Sequence, residues 1–283
     1  MSDFPLRRVL TEDKATELKA LKVPASAAAD WLPTSEPYRV VDEDSGAPLL
    51  AAWPVPRELS GPCVAAFRAI GRATVVRSGG IRTSSNTFGY SSARPVFQRS
   101  TPSLSAWLRD DPEGHASLET FAAWAWPVLL QRLPEVAQRQ ELVRSAVHTD
   151  WRMGGTGWTS GIANDTVPLY YHRDRNNFPD SWSVMLAARA GTRGGDLHLA
   201  DYDLTVPIRD GWAYAFPGVN VMHGVTPIRS ALRGSFRYTF VWYPVKAFGT
   251  VGSAAEARTA AANRRTELEA GLIERQREHG MLT

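Results

Sequence analysis

Apolar and polar positions along this chain change rhythm near Trp151. Before it, apolar residues recur at three- and four-residue intervals, which predicts helices. Leu18 and Leu21 follow the capping run Thr11-Glu12-Asp13. Ser60 opens a second helix to about Gly71. Ser117 opens a third to Arg132, with Leu118, Phe121, Trp124 or Ala125, and Val128 on its apolar side. Another follows Pro134, because proline is tolerated in a first helical turn. Residues 23–58, with several prolines, read as loops and short strands, and Val75 to Arg99 as a strand and an ordered loop. After Trp151, short β-type runs alternate with Gly, Pro, Asn and Asp. The runs are Leu169-Tyr170-Tyr171, Trp182 to Leu186, Leu197-His198-Leu199, Leu204-Thr205-Val206, Ala213 to Phe216, and Tyr238 to Tyr243. Many short strands at regular spacing predict a barrel or sandwich. Beyond Gly252 an Ala-, Glu- and Arg-rich run predicts a terminal helix to about Arg277, whose face either packs on the sheet, the expectation kept here, or carries arginines to a partner. One domain is expected, with a helical and loop extension over 1–74, a core over 75–250 and a C-terminal helix over 251–283.

Chemistry concentrates in the second half. His172-Arg173-Asp174 and, on a separate strand, His223 supply two imidazoles and a carboxylate. Residues i and i+2 of a strand face the same way, so His172 and Asp174 can reach one metal together. Two histidines and one carboxylate on one face of an octahedral ion leave the opposite positions open, the arrangement of a mononuclear non-haem iron(II) oxygenase. Arg237 stands in the apolar run Arg237 to Tyr243. A buried guanidinium needs an anion, and the distal carboxylate of 2-oxoglutarate fits its fork. Arg229 and Arg233 compete for that role but sit in the preceding turn, where solvation is expected. Gly194-Gly195 reads as a tight turn whose role is shape. His115, His148, His198 and His279 carry no assigned chemistry.

Composition narrows the setting. A chain of 283 residues with a single cysteine, Cys63, excludes an internal disulfide and a multi-thiolate zinc site. A reducing cytoplasm and a monomer are expected. There is no charged-then-apolar leader pattern at Met1-Ser2-Asp3-Phe4-Pro5 and no apolar run of about 18 residues. The net charge of +3 permits nucleic-acid binding without requiring it. Arginine carries most of the positive charge, which suits phosphate contacts and is also what a GC-rich genome encodes.

Taken together, His172-x-Asp174, Gly194-Gly195-x-Leu197, His223-Gly224-Val225-Thr226-Pro227 and Arg237-x-Thr239-x-Val241-x-Tyr243 resemble the iron(II)/2-oxoglutarate-dependent dioxygenases. The run His172-Arg173-Asp174-Arg175-Asn176-Asn177 is similar to the TET/J-binding-protein branch, which oxidises the 5-methyl group of pyrimidines in nucleic acids. The resemblance spans roughly residues 75–246 and implies an α+β double-stranded β-helix, or jelly roll, with flanking helices. It also implies Fe(II), 2-oxoglutarate and O2, with DNA as the partner. By the same resemblance Asn177 contacts a flipped pyrimidine, 5-methylcytosine or thymine. Phe88-Gly89-Tyr90 with Arg82 and Arg94 resembles a segment in which an arginine holds either the cosubstrate or the base. The chain departs from animal members in lacking their cysteine-rich zinc region and in having Val245 where they have a base-contacting histidine.

A flipped base also needs an edge reader and a stacking surface. Asn164, at a pocket mouth or in a turn, is a second edge candidate, and Phe178, Trp182 and Tyr243 are candidate stackers. Arg72, Arg77, Arg82, Arg94, Arg99, Arg173 and Arg175 are candidate phosphate contacts. Two other readings stand beside this one: a hydroxylase of a small amino acid or natural product with the same iron apparatus, and a degraded oxygenase fold that only binds DNA.

Overall fold

The computed structural model describes residues 1–25, 31–33, 35–71, 73–76, 82–93 and 101–278. In chain order the strands are β1 (Ser2–Leu6), β2 (Tyr38–Asp42), β3 (Pro48–Pro54), β4 (Thr74–Val76), β5 (Arg82–Ser91), β6 (Ser103–Leu104), β7 (Ser160–Asp165), β8 (Ser183–Ala190), β9 (Thr192–Gly194), β10 (Leu197–Leu199), β11 (Leu204–Val206), β12 (Trp212–Phe216), β13 (His223–Val225), β14 (Ile228–Ser230) and β15 (Phe236–Tyr243). The helices are α1 (Glu12–Glu17), α2 (Arg57–Ile70), α3 (Ala106–Asp110), α4 (Pro112–Arg132), α5 (Pro134–Ala146) and α6 (Ala254–Glu278).

A large sheet runs in the order β1-β2-β3-β12-β8-β15-β7-β5-β4, with β6 paired to β5. All its pairings are antiparallel except β1 with β2. A smaller sheet, β11-β10-β13, lies apart from it, as does the pair β14-β9. The two main sheets make a jelly roll, and strand β15 shows how sequence alternation builds it. Tyr238, Phe240 and Trp242 join a core with Phe67 of α2 and Leu118 and Phe121 of α4. Phe121 stacks on Trp242 with ring centroids 4.3 Å apart. Burying each large ring contributes roughly 1.5–3 kcal/mol. The alternate residues, Arg237, Thr239, Val241 and Tyr243, take the opposite face. There Val241 packs with Met185, Ala187, Tyr214, Leu197, Leu199 and Val206, which span both sheets. Helices therefore cover one face of the large sheet, and the small sheet covers the other.

Several boundaries differ from those read in the sequence. Helix α2 begins at Arg57, ahead of Ser60, and α4 begins at Pro112, where Asp111 caps the Gly114 N–H at 2.9 Å. At α4 a stronger cap upstream, followed by proline, displaces the serine start; α2 starts directly after Pro56 with no side-chain cap. Leu169-Tyr170-Tyr171 is not a strand; pairing begins only at His172, as an isolated bridge. Residues 38–54 contribute β2 and β3 to the large sheet itself. The C-terminal helix does not pack along its length: Ala254 and Ala257 meet Trp151 and Phe248, while Leu268, Leu272 and Ile273 are exposed. Its charged residues fall on all sides and leave no continuous apolar stripe to bury.

Candidate metal centre

His172 and Asp174 lie on one extended segment, and Arg173 between them points the other way. The segment is docked twice. His172 and His223 exchange backbone N–H···O bonds of 2.9 and 3.0 Å, and the Asp174 N–H donates to the Gly218 carbonyl at 2.9 Å. The imidazole centroids stand 4.3 Å apart. Asp174 Oδ1 lies 3.7 Å from His172 Nε2, and Oδ2 lies 3.9 Å from His223 Nε2. All three donor atoms fall within 4.8 Å of one another. Gly218 lies close beside them: a Cβ there would press on the Asp174 carboxylate, which would have to shift.

Each imidazole is oriented from behind. His172 Nδ1 is 2.8 Å from the Tyr170 carbonyl and His223 Nδ1 is 2.9 Å from the Val221 carbonyl. A carbonyl only accepts, so Nδ1 carries the proton and Nε2 presents its lone pair inward. Burial, reinforced by the neighbouring His172, holds the pKa of His223 below the usual histidine value, against the pull of Asp174. A neutral imidazole is the form that binds a metal. The donor set and both ring orientations therefore fit a divalent cation.

Arg237 sits on β15 and is only 1% exposed. Its backbone is tied to Thr166, through Thr166 N–H to the Arg237 carbonyl at 2.8 Å. Its Nε and Nη2 are buried without a hydrogen-bond partner. Burial, with a smaller contribution from Arg189, draws its pKa down to about 10. An unpaired buried guanidinium is costly, and a carboxylate is the anion its fork matches. Gly195, in the left-handed region at φ +71°, leaves room for it: a Cβ would lie 2.6 Å from Arg237 Cδ and Nε. The shape role of the Gly-Gly turn is thus to admit this side chain. Arg229 and Arg233 are exposed.

The remaining candidates scatter. Asn177 is buried in the turn after the ligand segment, its N–H donating to the Asp174 carbonyl at 2.9 Å, and it bridges to Val245. Asn164 is neither at a mouth nor in a turn. It lies in β7, on the Arg237 side of the sheet, accepting from Ser85 Oγ at 2.9 Å and donating to Thr239 Oγ1 at 3.3 Å. Tyr243 is half-buried at the end of β15. Trp182 is not a stacking surface: it is buried in the helix-side core, its carbonyl accepting from Trp158 Nε1. Phe178 packs against Val245 and Phe248. Phe88 is also core, edge-on to Trp107 and Trp242, and Gly89 donates its N–H to His115 Nε2 at 2.8 Å.

Arg173 is removed from the phosphate-contact set, because its side chain is enclosed and paired with Glu12 and Asp201. Arg175 is exposed. Arg72, Arg77, Arg94 and Arg99 lie outside the described residues, as does the side chain of Arg82, whose backbone opens β5. Ser85, which no local signal in the sequence marks, and Thr239, quoted in the Arg237-x-Thr239 motif, hold Asn164 from either side.

No protein-family model matches the chain, and no curated protein matches it in sequence. Solved structures do match in shape. NgTET1, solved in complex with 5mC DNA, aligns over 86% of this chain and 94% of its own, with a TM-score of 0.57 and 17% identity. An oxidoreductase of the 2OG-Fe(II) oxygenase family from Burkholderia pseudomallei aligns over 69% of this chain and 84% of its own, with a TM-score of 0.41 and 16% identity. OsALKBH1 aligns over 69% and 97%, at a TM-score of 0.39 and 14% identity. With its two-sheet topology and the first of these likenesses, the chain has the jelly-roll fold seen in NgTET1.

Proposed function

We propose that this chain is an Fe(II)/2-oxoglutarate-dependent dioxygenase that oxidises the 5-methyl group of a pyrimidine in DNA, taken up as a flipped base. The observation that carries the cosubstrate reading is Arg237, a buried guanidinium with two unpaired donors in the same jelly roll as the His-Asp-His cluster. The DNA reading is supported by the shared fold with a protein solved on 5mC DNA and by the sequence run His172 to Asn177.

His172, Asp174 and His223 would hold the iron, and Arg237 the distal carboxylate of 2-oxoglutarate. Iron(II) with 2-oxoglutarate and dioxygen supplies the oxidising power for inserting oxygen into a C–H bond. The protein's own work is positioning. The Tyr170 and Val221 carbonyls fix the imidazoles, and the Gly218 carbonyl fixes the backbone of Asp174. Asn177, held by the Asp174 carbonyl, would read the Watson–Crick edge of the base, since its amide both donates and accepts. Tyr243, half-buried on the Arg237 side of β15, would stack on the base. Asn164, bonded on both sides within the sheet, would shape the pocket wall. Arg82 and Arg94 remain proposed cosubstrate or base contacts.

A second reading, a small-molecule hydroxylase, is favoured by the enclosure of Arg173, which takes one cation away from any phosphate-binding rim. One assay separates the two. The protein is incubated with iron(II), 2-oxoglutarate and DNA carrying 5-methylcytosine or thymine, and the nucleosides are analysed by mass spectrometry. The expected product is the 5-hydroxymethyl base, further oxidised or not. Succinate formation with no oxidised pyrimidine from either DNA would overturn the DNA reading and leave the oxygenase.

A further inference from the structure

Asp201 carries a completely buried carboxyl group outside the His-Asp-His cluster. Its Oδ1 meets Arg173 Nη2 at 3.2 Å, and Oδ2 accepts the Met222 N–H at 2.6 Å. Arg173 is the residue between His172 and Asp174; Met222 immediately precedes His223. One carboxylate therefore grips both ligand-bearing segments from the side opposite the donor atoms. The Ala200 N–H adds a bond to the Met222 carbonyl at 2.8 Å.

The N-terminal segment closes around the same group. The Asp201 carbonyl accepts from the Val9 and Leu10 N–H groups at 2.9 and 3.1 Å. Arg8 Nη2 lies 3.7 Å from Asp201 Oδ1. Glu12, on α1, takes the Arg173 guanidinium from the other side, with Oε2 at 3.0 Å from Nη2. Beyond α1, Ala20 and Leu21 hydrogen-bond with the backbone of Tyr171, next to His172.

We infer that Asp201 is a positioning residue of the metal centre, and that with Arg173 and Glu12 it forms a clamp setting the separation of the two ligand segments. The inference rests on the metal-site reading above. The physical argument is the cost of the arrangement. Separating a buried carboxylate from its guanidinium partner is costly, so the bonds of Asp201 to Arg173 Nη2 and to the Met222 N–H resist drift of one ligand segment from the other, although Arg173 Nε makes no hydrogen bond. Groups behind metal ligands that fix their orientation typically change metal affinity 10–100-fold when removed.

The test uses the full chain without iron or oxygen chemistry. Co(II) is titrated by calorimetry into wild-type protein and into Asp201→Asn and Glu12→Gln, and the Co(II) d–d absorption spectrum is recorded at saturation. D201N keeps the shape and an acceptor for Met222 but removes the charge facing Arg173. It should bind Co(II) about tenfold more weakly, with an altered d–d spectrum. E12Q changes an exposed group and should fold whatever becomes of D201N. It should weaken Co(II) binding about threefold, the size of a partly exposed ion pair. A purely structural role would lower the melting temperature and leave affinity and spectrum as in the wild type. Unchanged Co(II) affinity in E12Q, with D201N either unchanged or unfolded, overturns the clamp. If wild-type protein takes up no Co(II), the ligand assignment itself fails, and the clamp with it.

Discussion

Replacing Arg237 by methionine should make the cosubstrate-free protein more stable while destroying its affinity for 2-oxoglutarate. Methionine retains most of the aliphatic packing against Gly195 and removes a charge that has no bonded partner on Nε or Nη2. A guanidinium whose pKa burial draws down to about 10 carries a penalty of about 3 kcal/mol. That penalty is fully present at neutral pH, since both the folded and the unfolded pKa lie well above 7. The change should raise the melting temperature of the apo protein by up to roughly 6–12 °C, a kcal/mol being roughly 2–4 °C in a chain of this class. Loss of one partner from a buried charge pair costs about 2–5 kcal/mol of binding, so 2-oxoglutarate affinity should fall at least about thirtyfold. Differential scanning calorimetry reads the first effect. Anaerobic titration of 2-oxoglutarate into Mn(II)-loaded protein reads the second. A variant that melts several degrees lower and binds 2-oxoglutarate normally would show that Arg237 serves the fold and not an anion.

Two further outcomes follow from the geometry. Gly218→Ala places a methyl group against the Asp174 carboxylate; it should weaken divalent-metal binding about tenfold or more with little effect on apo melting, and normal metal affinity would refute the close approach. His115 is buried, accepts the Gly89 N–H and has its pKa pushed down to about 4 by burial. Unfolded chains titrate this group near 6.5, so below that pH the unfolded state binds the extra proton. Stability due to neutral His115 is whole above about pH 6.5 and is lost as pH falls toward 4, by about 2 kcal/mol at pH 5. Urea denaturation should show this slope in the wild type and a flatter one in His115→Gln; equal slopes would refute it.

The candidate cluster of His172, Asp174 and His223, which the fold does bring together, was legible because strand alternation is local. One intervening residue puts His172 and Asp174 on the same side, and the sequence shows that spacing directly. Arg237 was legible for the same reason, as a charge inside an apolar strand. What the sequence hid was the other half of each alternation. Arg173 looked like a free cation for phosphate, but its partner Asp201 is 28 residues away in the chain. Trp182 looked like a stacking surface, but the helix-side core that takes it is assembled from α2, α4 and β15. The helix start at Ser117 was misplaced because Asp111 and Pro112 upstream supply a better terminus, while α2 starts three residues ahead of Ser60 without any side-chain cap. Residues 23–58 read only as loops and short strands; that β2 and β3 there belong to the large sheet depends on pairing of β3 with β12, far along the chain.

The central claim is that His172, Asp174 and His223 share one metal ion with positions left open for 2-oxoglutarate. The most direct measurement is a crystal structure of the full chain loaded anaerobically with Mn(II) and 2-oxoglutarate, using the anomalous signal of the metal. The account predicts one anomalous peak about 2.1–2.2 Å from both Nε2 atoms and an Asp174 oxygen, with the cosubstrate's distal carboxylate on Arg237. A metal bound elsewhere, or a 2-oxoglutarate that leaves Arg237 unpaired, would contradict it.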